Sequence, residues 1–177
     1  MSHVIHQTEG VVLNKADFGE ADRLFTLFTK DFGKIKAVAR GVRNLKSKLR
    51  YNLDLFSFSR FGLISSGGYW KILNAEESFS SKMILLSHEK FVSFSRFAGL
   101  VDRMVQGEGS NLFLWNEIKG VASFLAKNGL RREEIREFEV LSSLRILGEL
   151  GYIDKNARLS GGEAVAAINK AIKESML

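Results

Sequence analysis

The chain of 177 residues is long enough to bury a core as one domain or as two small ones, and its 45% hydrophobic and 26% charged residues are typical of globular proteins. It contains no cysteine, which excludes disulfides, a thiolate zinc site and a cysteine nucleophile. No apolar run approaches the roughly 18 residues of a membrane span and no secretory signal is visible, so we expect a cytoplasmic protein.

The net charge of +6 is unevenly distributed along the chain. Residues 1–75 hold 12 Lys and Arg against 6 Asp and Glu, whereas residues 76–177 hold 14 of each. Within the first part, residues 30–50 alone carry eight cations and one anion. Because concentrated positive charge attracts polyanions, this distribution favours a nucleic-acid partner for the first part of the chain.

Short extended segments separated by turn residues make up the first part of the chain. The pattern predicts five strands, at residues 10–13, 23–29, 34–38, 53–61 and 69–73. Residues 30–33 are predicted to form a hairpin turn in which Gly33 takes a positive φ. In the third strand, Lys34 and Lys36 project from the same face. Five strands with a helix between the third and the fourth is the order of an OB-fold barrel, which we assign to residues 1–80.

The segment between the third and fourth strands is rich in cations. Read as a helix, it divides its apolar side chains and its cations between two faces, with Val42, Leu45 and Leu49 on one and Arg43, Lys46 and Arg50 on the other. We therefore predict a short amphipathic helix that packs on a core and presents a row of positive charge. The alternative is a solvated, charged connector.

After about residue 80 the hydrophobic period becomes helical. We predict one helix through residues 91–105, a second at 111–127, a third from residue 131 that ends at Gly151, and a fourth at 161–174. Ser160 is the predicted N-cap of the last helix. The predicted fold is thus α+β, with the five-stranded OB-fold barrel followed by a C-terminal α-helical domain at residues 81–177.

Few residues offer catalytic chemistry. Asp17, Glu20 and Asp22 could in principle hold magnesium in a nuclease, but the stronger interpretation is a turn whose carboxylates are solvated or pair with Arg23. The sequence has no phosphate-binding G-x-x-x-x-G-K-[ST] loop and no nucleophile-elbow serine. We therefore predict that the protein is not an enzyme and needs no cofactor or metal.

Aromatic side chains in or beside the predicted barrel offer another type of contact. Tyr51, Phe58, Tyr69 and Trp70 lie where bases could stack, and we take Tyr51, Tyr69 and Trp70 as the candidates. For each of them taken singly, packing in the core is the stronger interpretation.

Three strings in the first part of the chain resemble a known family. They are G-E-A-D-R-L-x-T-L-F-T at residues 19–29, G-K-I-x-A-V-A-[KR]-G-x-R at 33–43 and K-S-[KR]-L at 46–49. In this order and spacing they resemble the opening of the bacterial recombination mediator RecO. A looser similarity extends the resemblance to about residues 5–152.

The resemblance implies an N-terminal OB-fold, a helical C-terminal domain and a non-enzymatic role in recombinational DNA repair. Members bind single- and double-stranded DNA, anneal complementary strands, work with RecR, engage the acidic tail of single-stranded-DNA-binding protein and help to load RecA. Their DNA contacts lie on the basic barrel surface. The matching positions here are Lys34, Lys36, Arg40, Arg43, Lys46, Lys48 and Arg50.

The chain departs from the family's pattern after Gly151 and Tyr152, where many members carry a four-cysteine zinc module; its lack of cysteine suggests a short form without that module. For the acidic tail, our candidate is a groove of the helical domain with Arg96 and Arg103 near Phe97, although solvated side chains are the stronger interpretation of both arginines. A rival function for the whole chain is that of an RNA-binding OB-fold protein of translation or ribosome assembly.

Overall fold

The structure, a computed structural model, describes residues 4–157 and 159–175, with the side chain of Ser66 excluded. The chain divides into two compact units. The first comprises Met1–Ser81 together with Gly107–Trp115, and the second comprises Lys82–Gln106 and Asn116–Leu177. Residues 107–115, which the sequence pattern assigned to the helical domain, therefore belong with the first unit.

The first unit is a closed five-stranded barrel. Its strands are β1 (His6–Phe18), β2 (Asp22–Thr29), β3 (Gly33–Ala39), β4 (Phe58–Ser66) and β5 (Tyr69–Phe79). They close in the order β1-β2-β3-β5-β4, and the β3–β5 pairing alone is parallel. The predicted OB-fold is confirmed.

Alternating apolar residues on these strands fill the barrel. Phe25 and Leu27 of β2, Ile35 of β3, and Phe61 and Leu63 of β4 belong to one buried cluster. Burying one side chain of this size contributes about 1.5–3 kcal/mol, so this cluster stabilises the barrel substantially.

The hairpin between β2 and β3 depends on a glycine. Gly33 has the predicted positive φ, +64°. A Cβ on Gly33 would lie 2.0 Å from the carbonyl oxygen of Gly109, so no other residue fits here without displacing backbone. Gly109 N–H donates to Phe32 O at 3.0 Å, which fixes residues 107–110 against this hairpin.

The strand bounds differ from the prediction most at β4. The expected strand began at residue 53, but β4 begins at Phe58. Residues 53–57 instead form a loop in which Leu53 and Phe56 are both buried, and Ser57 N–H bonds to Asp54 O in a turn. The alternation of apolar residues there reflects a loop that covers the barrel rather than a strand.

The prediction of an amphipathic helix after β3 is wrong. Gly41 has a φ of +63°, and Asn44 N–H bonds to Gly41 O while Ser47 N–H bonds to Asn44 O. In each of these hydrogen bonds the N–H donates to the carbonyl three residues earlier, which is the pattern of successive turns; in an α-helix it would donate to the carbonyl four residues earlier. Only Lys48–Asn52 is helical, as a short 3-10 helix.

The apolar residues of this segment also do not share a face. Val42 is buried and Leu49 packs against the barrel core, whereas Leu45 is 84% exposed. The segment is held instead by bonds to its surroundings, among them Arg43 N–H to Ala21 O of the β1–β2 turn. It is an ordered connector, which is closer to the alternative interpretation.

The helical elements are α1 (Lys82–Leu85), α2 (His88–Met104), α3 (Leu112–Leu125), α4 (Arg132–Glu149) and α5 (Gly161–Glu174). The four longer ones match the predicted helices, and α5 has the predicted bounds; the single turn α1 was missed. Ser160 precedes α5 as predicted, but its side chain makes no capping hydrogen bond. No helix in the described part of the chain is both long and apolar enough to cross a membrane.

Candidate nucleic-acid interface

One row of side chains crosses the outer face of the barrel on three neighbouring strands. Lys36 on β3 is exposed, between Ile35 and Ala37, which face the core. Thr26 of β2 is its direct partner. Because Ala37 pairs with Trp70 of the parallel strand β5, Tyr69 lies beside Lys36 on the other side. The row Thr26–Lys36–Tyr69 therefore combines a hydroxyl, a cation and an aromatic ring.

Lys71 extends this row on β5 toward Val38, its partner on β3. Its Nζ lies 5.6 Å from the ring centre of Tyr69, and that ring remains 41% exposed. Lys71 was not among the sequence candidates. Tyr69 and Lys71 are two residues apart and so share a face, but only the pairing of β5 with β3 places them beside Lys36. Lys34, two residues before Lys36, is half-buried on the same face.

Trp70 points the other way. Its ring is only 9% exposed and packs on Phe32 and His6, with centroids 4.7 and 5.6 Å away. Its indole N–H donates to Glu108 Oε1 at 3.3 Å. Trp70 is thus a core residue and is not available for base stacking, so its listing as a stacking candidate is wrong and the core packing that the sequence favoured is found. Phe58 is 2% exposed and is likewise a core residue.

Several candidate cations lie in the connector after β3. Arg40, Lys46 and Lys48 are exposed, and none of them forms an ion pair within residues 4–157 and 159–175. Arg50 is half-buried with its guanidinium 5.0 Å from the ring centre of Tyr51, which is itself 70% exposed. Arg50 and Tyr51 thus form a second exposed pair of a cation with an aromatic ring.

Arg43 is a candidate cation that an internal carboxylate engages. Its Nη2 lies 3.5 Å from Asp17 Oδ2, and its Nη1 donates to Gly19 O. Arg23 Nε also donates to Asp17 Oδ1, at 3.0 Å. This hydrogen bond from Arg23 lowers the pKa of Asp17, and the charge of Arg43 lowers it further. Asp17 therefore competes with any phosphate for two arginines.

The acidic residues of this turn do not form a metal site. Asp17 is engaged by Arg23 and Arg43, and Asp22 Oδ1 accepts the Gly41 N–H at 2.8 Å. Among the described residues, no group of three or more potential ligands could hold a metal ion. The pairing of Asp17 with Arg23 is the arrangement that the sequence favoured over magnesium.

A different face of the barrel carries balanced charge. Arg60 on β4 lies between Glu9 of β1 and Glu76 of β5 in the sheet register. Directly opposed side chains on neighbouring strands are about 5 Å apart, close enough for these carboxylates to offset the charge of Arg60. On the β2-β3-β5 face, by contrast, Lys36 forms no ion pair among the residues that the structure describes.

The helical unit contains a groove of about 550 Å³ between α2, α4 and α5. Arg96, Arg103 and Arg136 line it together with apolar residues such as Leu100 and Ile168. Phe97, which the sequence placed at this site, is 1% exposed and does not line the groove. Because α2 turns Phe97 into the core, Arg96 and Arg103 are the members of the predicted set that face the groove.

Comparison with known proteins gives consistent matches. The family model described as "Recombination protein O N terminal" matches residues 1–77. A protein named DNA repair protein RecO from Bifidobacterium adolescentis is 32% identical over 147 residues, which are 81% of this chain and 59% of that protein. DNA repair protein RecO of Chlorobium limicola is 30% identical over 160 residues, 84% of this chain and 57% of that protein. The chain spans about half the length of the curated relatives that it matches.

Proposed function

The chain belongs to the RecO family, and on this premise we propose that it is a non-enzymatic, DNA-binding mediator of recombinational repair. The observation that carries the proposal is the Thr26–Lys36–Tyr69 row with Lys71 beside it. OB-folds bind oligonucleotides on the face of their second and third strands, and this row crosses that face. Arg40, Lys46 and Lys48 of the connector add to the same positive unit.

The proposed mechanism is electrostatic. Lysines and arginines of the barrel neutralise phosphates and release condensed counterions, which drives binding of both single- and double-stranded DNA. Contacts to the backbone carry little sequence information, so binding is expected to be indifferent to sequence. Two strands held on one positive surface repel each other less, and annealing of complementary strands is accelerated.

Tyr69 adds a contact that depends on the form of the DNA. Its exposed ring can stack on an unpaired base, and stacking contributes about 1–3 kcal/mol per base. A duplex offers no unpaired base, so this contact favours single strands. Lys36 and Lys71 flank the ring and are positioned for the phosphates on either side of the stacked nucleotide.

Binding of labelled single-stranded DNA over a range of salt concentrations tests the proposal. If about five phosphates are neutralised, log K falls against log salt with a slope of roughly −3.5. A flat salt response contradicts the mechanism. Competition with RNA of equal length separates the rival function, because a marked preference for RNA favours a role in translation or ribosome assembly.

Partners follow from the same family premise. We propose that the groove lined by Arg96 and Arg103 receives the acidic, hydrophobic tail of single-stranded-DNA-binding protein, and that the chain acts with RecR and indirectly with RecA. Guanidinium groups beside apolar side chains suit a peptide that is both acidic and hydrophobic. Titration of the tail peptide against the full chain tests this; absence of saturable binding rejects it.

A further inference from the structure

One carboxylate lies among the arginines of the helical groove. Glu139 on α4 lines the groove of about 550 Å³ and also an adjoining cavity of about 390 Å³ between α2 and α4. Arg96 and Arg136 line both cavities as well. Glu139 therefore lies at the junction of the two cavities, next to the cations that a bound acidic group would use.

The contact between Glu139 and Arg96 is a weak one. Arg96 Nη1 lies 3.8 Å from Glu139 Oε1, which is longer than a hydrogen bond, and the arginine side chain is 69% exposed. The Glu139 side chain is 17% exposed, and Ser93 donates a hydrogen bond to it. A half-buried anion thus faces an exposed cation without the two-pronged geometry of a strong arginine–carboxylate pair.

Burial raises the pKa of Glu139 above its ordinary value, although the Ser93 hydrogen bond and the charges of Arg96 and Arg136 oppose the shift. Burial therefore disfavours the charged carboxylate of Glu139, and lowering the pH protonates it. The other charged or titratable groups along these two cavities are His88, Glu89 and Arg103 of α2 and Arg132 of α4; the α5 residues that line them carry no charge.

We propose that Arg96 and Arg136 form a carboxylate-binding seat, that Glu139 occupies it in the free protein, and that an acidic peptide displaces Glu139 from Arg96 when it binds. This inference rests on the proposed peptide-binding role of the groove and adds its regulation. Glu139 acts as an internal competitor, so the groove holds an acidic partner more tightly when Glu139 is neutral.

The experiment uses the full chain and a fluorescein-labelled peptide that has several aspartates, two apolar residues and a free C-terminal carboxylate. Glu139→Gln is expected to bind this peptide about two- to fivefold more tightly, since a competing ion pair worth up to about 1 kcal/mol is removed. Glu117→Gln is the matched control. Glu117 is 14% exposed and pairs with Arg145 at 3.2 Å, but it does not line the groove, so its loss should leave peptide affinity unchanged.

A pH profile separates competition from a structural effect. Wild-type affinity should rise as the pH falls through the raised pKa of Glu139, while the carboxylates of the peptide remain ionised. Glu139→Gln should lack this rise, so the difference between the two pH profiles isolates the contribution of Glu139. The far-ultraviolet circular dichroism and thermal unfolding midpoints of both variants should match wild type, which confirms that they are folded.

The outcomes distinguish this inference from the functions on which it rests. If wild type binds the peptide and Glu139→Gln binds it equally or more weakly, Glu139 is not a competitor, but the peptide groove still stands. Absence of peptide binding by both overturns the seat and the peptide groove but leaves the DNA proposal intact. Displacement of the peptide by an equal concentration of oligothymidine overturns the seat in favour of a phosphate site.

Discussion

Replacing Lys36 by glutamine tests whether the β2-β3-β5 face binds DNA. Lys36 is exposed at the centre of the row, and it makes no ion pair in the part of the chain that the structure describes. Its full charge is therefore available to a phosphate. Arg60→Gln is the matched control, because it removes one charge from an exposed barrel position that lies between Glu9 and Glu76.

The size of the effect follows from counterion release. On single strands, each neutralised phosphate contributes about 0.7 to the slope of log K against log salt. At about 0.1 M salt, losing one contact lowers affinity roughly fivefold, or about 1 kcal/mol. We expect Lys36→Gln to show both changes and Arg60→Gln to show neither.

Fluorescence anisotropy with labelled oligothymidine, between about 0.05 and 0.3 M salt, measures affinity and slope together. Equal losses in the two variants would mean that only net charge matters, and the assignment of the face would be refuted. A weaker Lys36→Gln variant with an unchanged slope would mean that Lys36 acts through the fold and not through phosphate.

Three further predictions concern single residues of the barrel. Tyr69→Ala should weaken single-strand binding by about 1–3 kcal/mol and leave duplex binding nearly unchanged. Gel-shift titrations with both DNA forms measure this difference. Equal losses of affinity for both forms would argue against stacking. Asp17→Asn should tighten DNA binding about two- to fivefold at low salt because it releases Arg23 and Arg43. Glu20→Gln removes the same charge from the same turn but releases neither arginine, so it should tighten DNA binding less. Because the pKa of Asp17 is lowered, this pairing should persist as the pH falls below the ordinary aspartate range and be lost only as the pH passes through the lowered value. Gly33→Ala should lower the free energy of unfolding by about 2–3 kcal/mol in thermal denaturation, because the added Cβ meets Gly109 O. Gly68 also has a positive φ but lies in open space, so Gly68→Ala should lower it by only about 1 kcal/mol. Similar costs for the two glycines would rule out the close approach as the cause.

Local patterns predicted those parts of the fold that depend on near neighbours. The change of hydrophobic period near residue 80 separated strands from helices, and the turn at residues 30–33 required the positive φ found at Gly33. The bounds of α5 followed from its apolar spacing. Each of these features is set within a few residues, so one sequence suffices to predict it.

Features set by distant contacts were not predictable in the same way. Val42, Leu45 and Leu49 have helical spacing, but Gly41 and bonds to the β1–β2 turn hold this segment as successive turns. The loop at residues 53–57 has the alternation of a strand because it buries two apolar side chains against the barrel. In both places tertiary packing overrides a local pattern.

The candidate site divides in the same manner. Lys36 was predicted from the family resemblance, and the alternation visible in the sequence of β3 placed it on one face with Lys34. For β5 the sequence could not decide whether Tyr69 or the adjacent Trp70 faces outward, and the parallel pairing with β3 determines it. The same pairing brings Lys71 into the site. Charge composition thus pointed to the barrel, and strand register defined the members of the proposed site.

Chemical-shift mapping of the isotope-labelled protein with oligothymidine tests the central claim most directly, because it reports each backbone amide separately. The account predicts the largest shifts at Thr26, Lys36, Tyr69 and Lys71, with little change at Glu9, Arg60 and Glu76. Shifts concentrated at Glu9, Arg60 and Glu76, or confined to the helical unit, would contradict it.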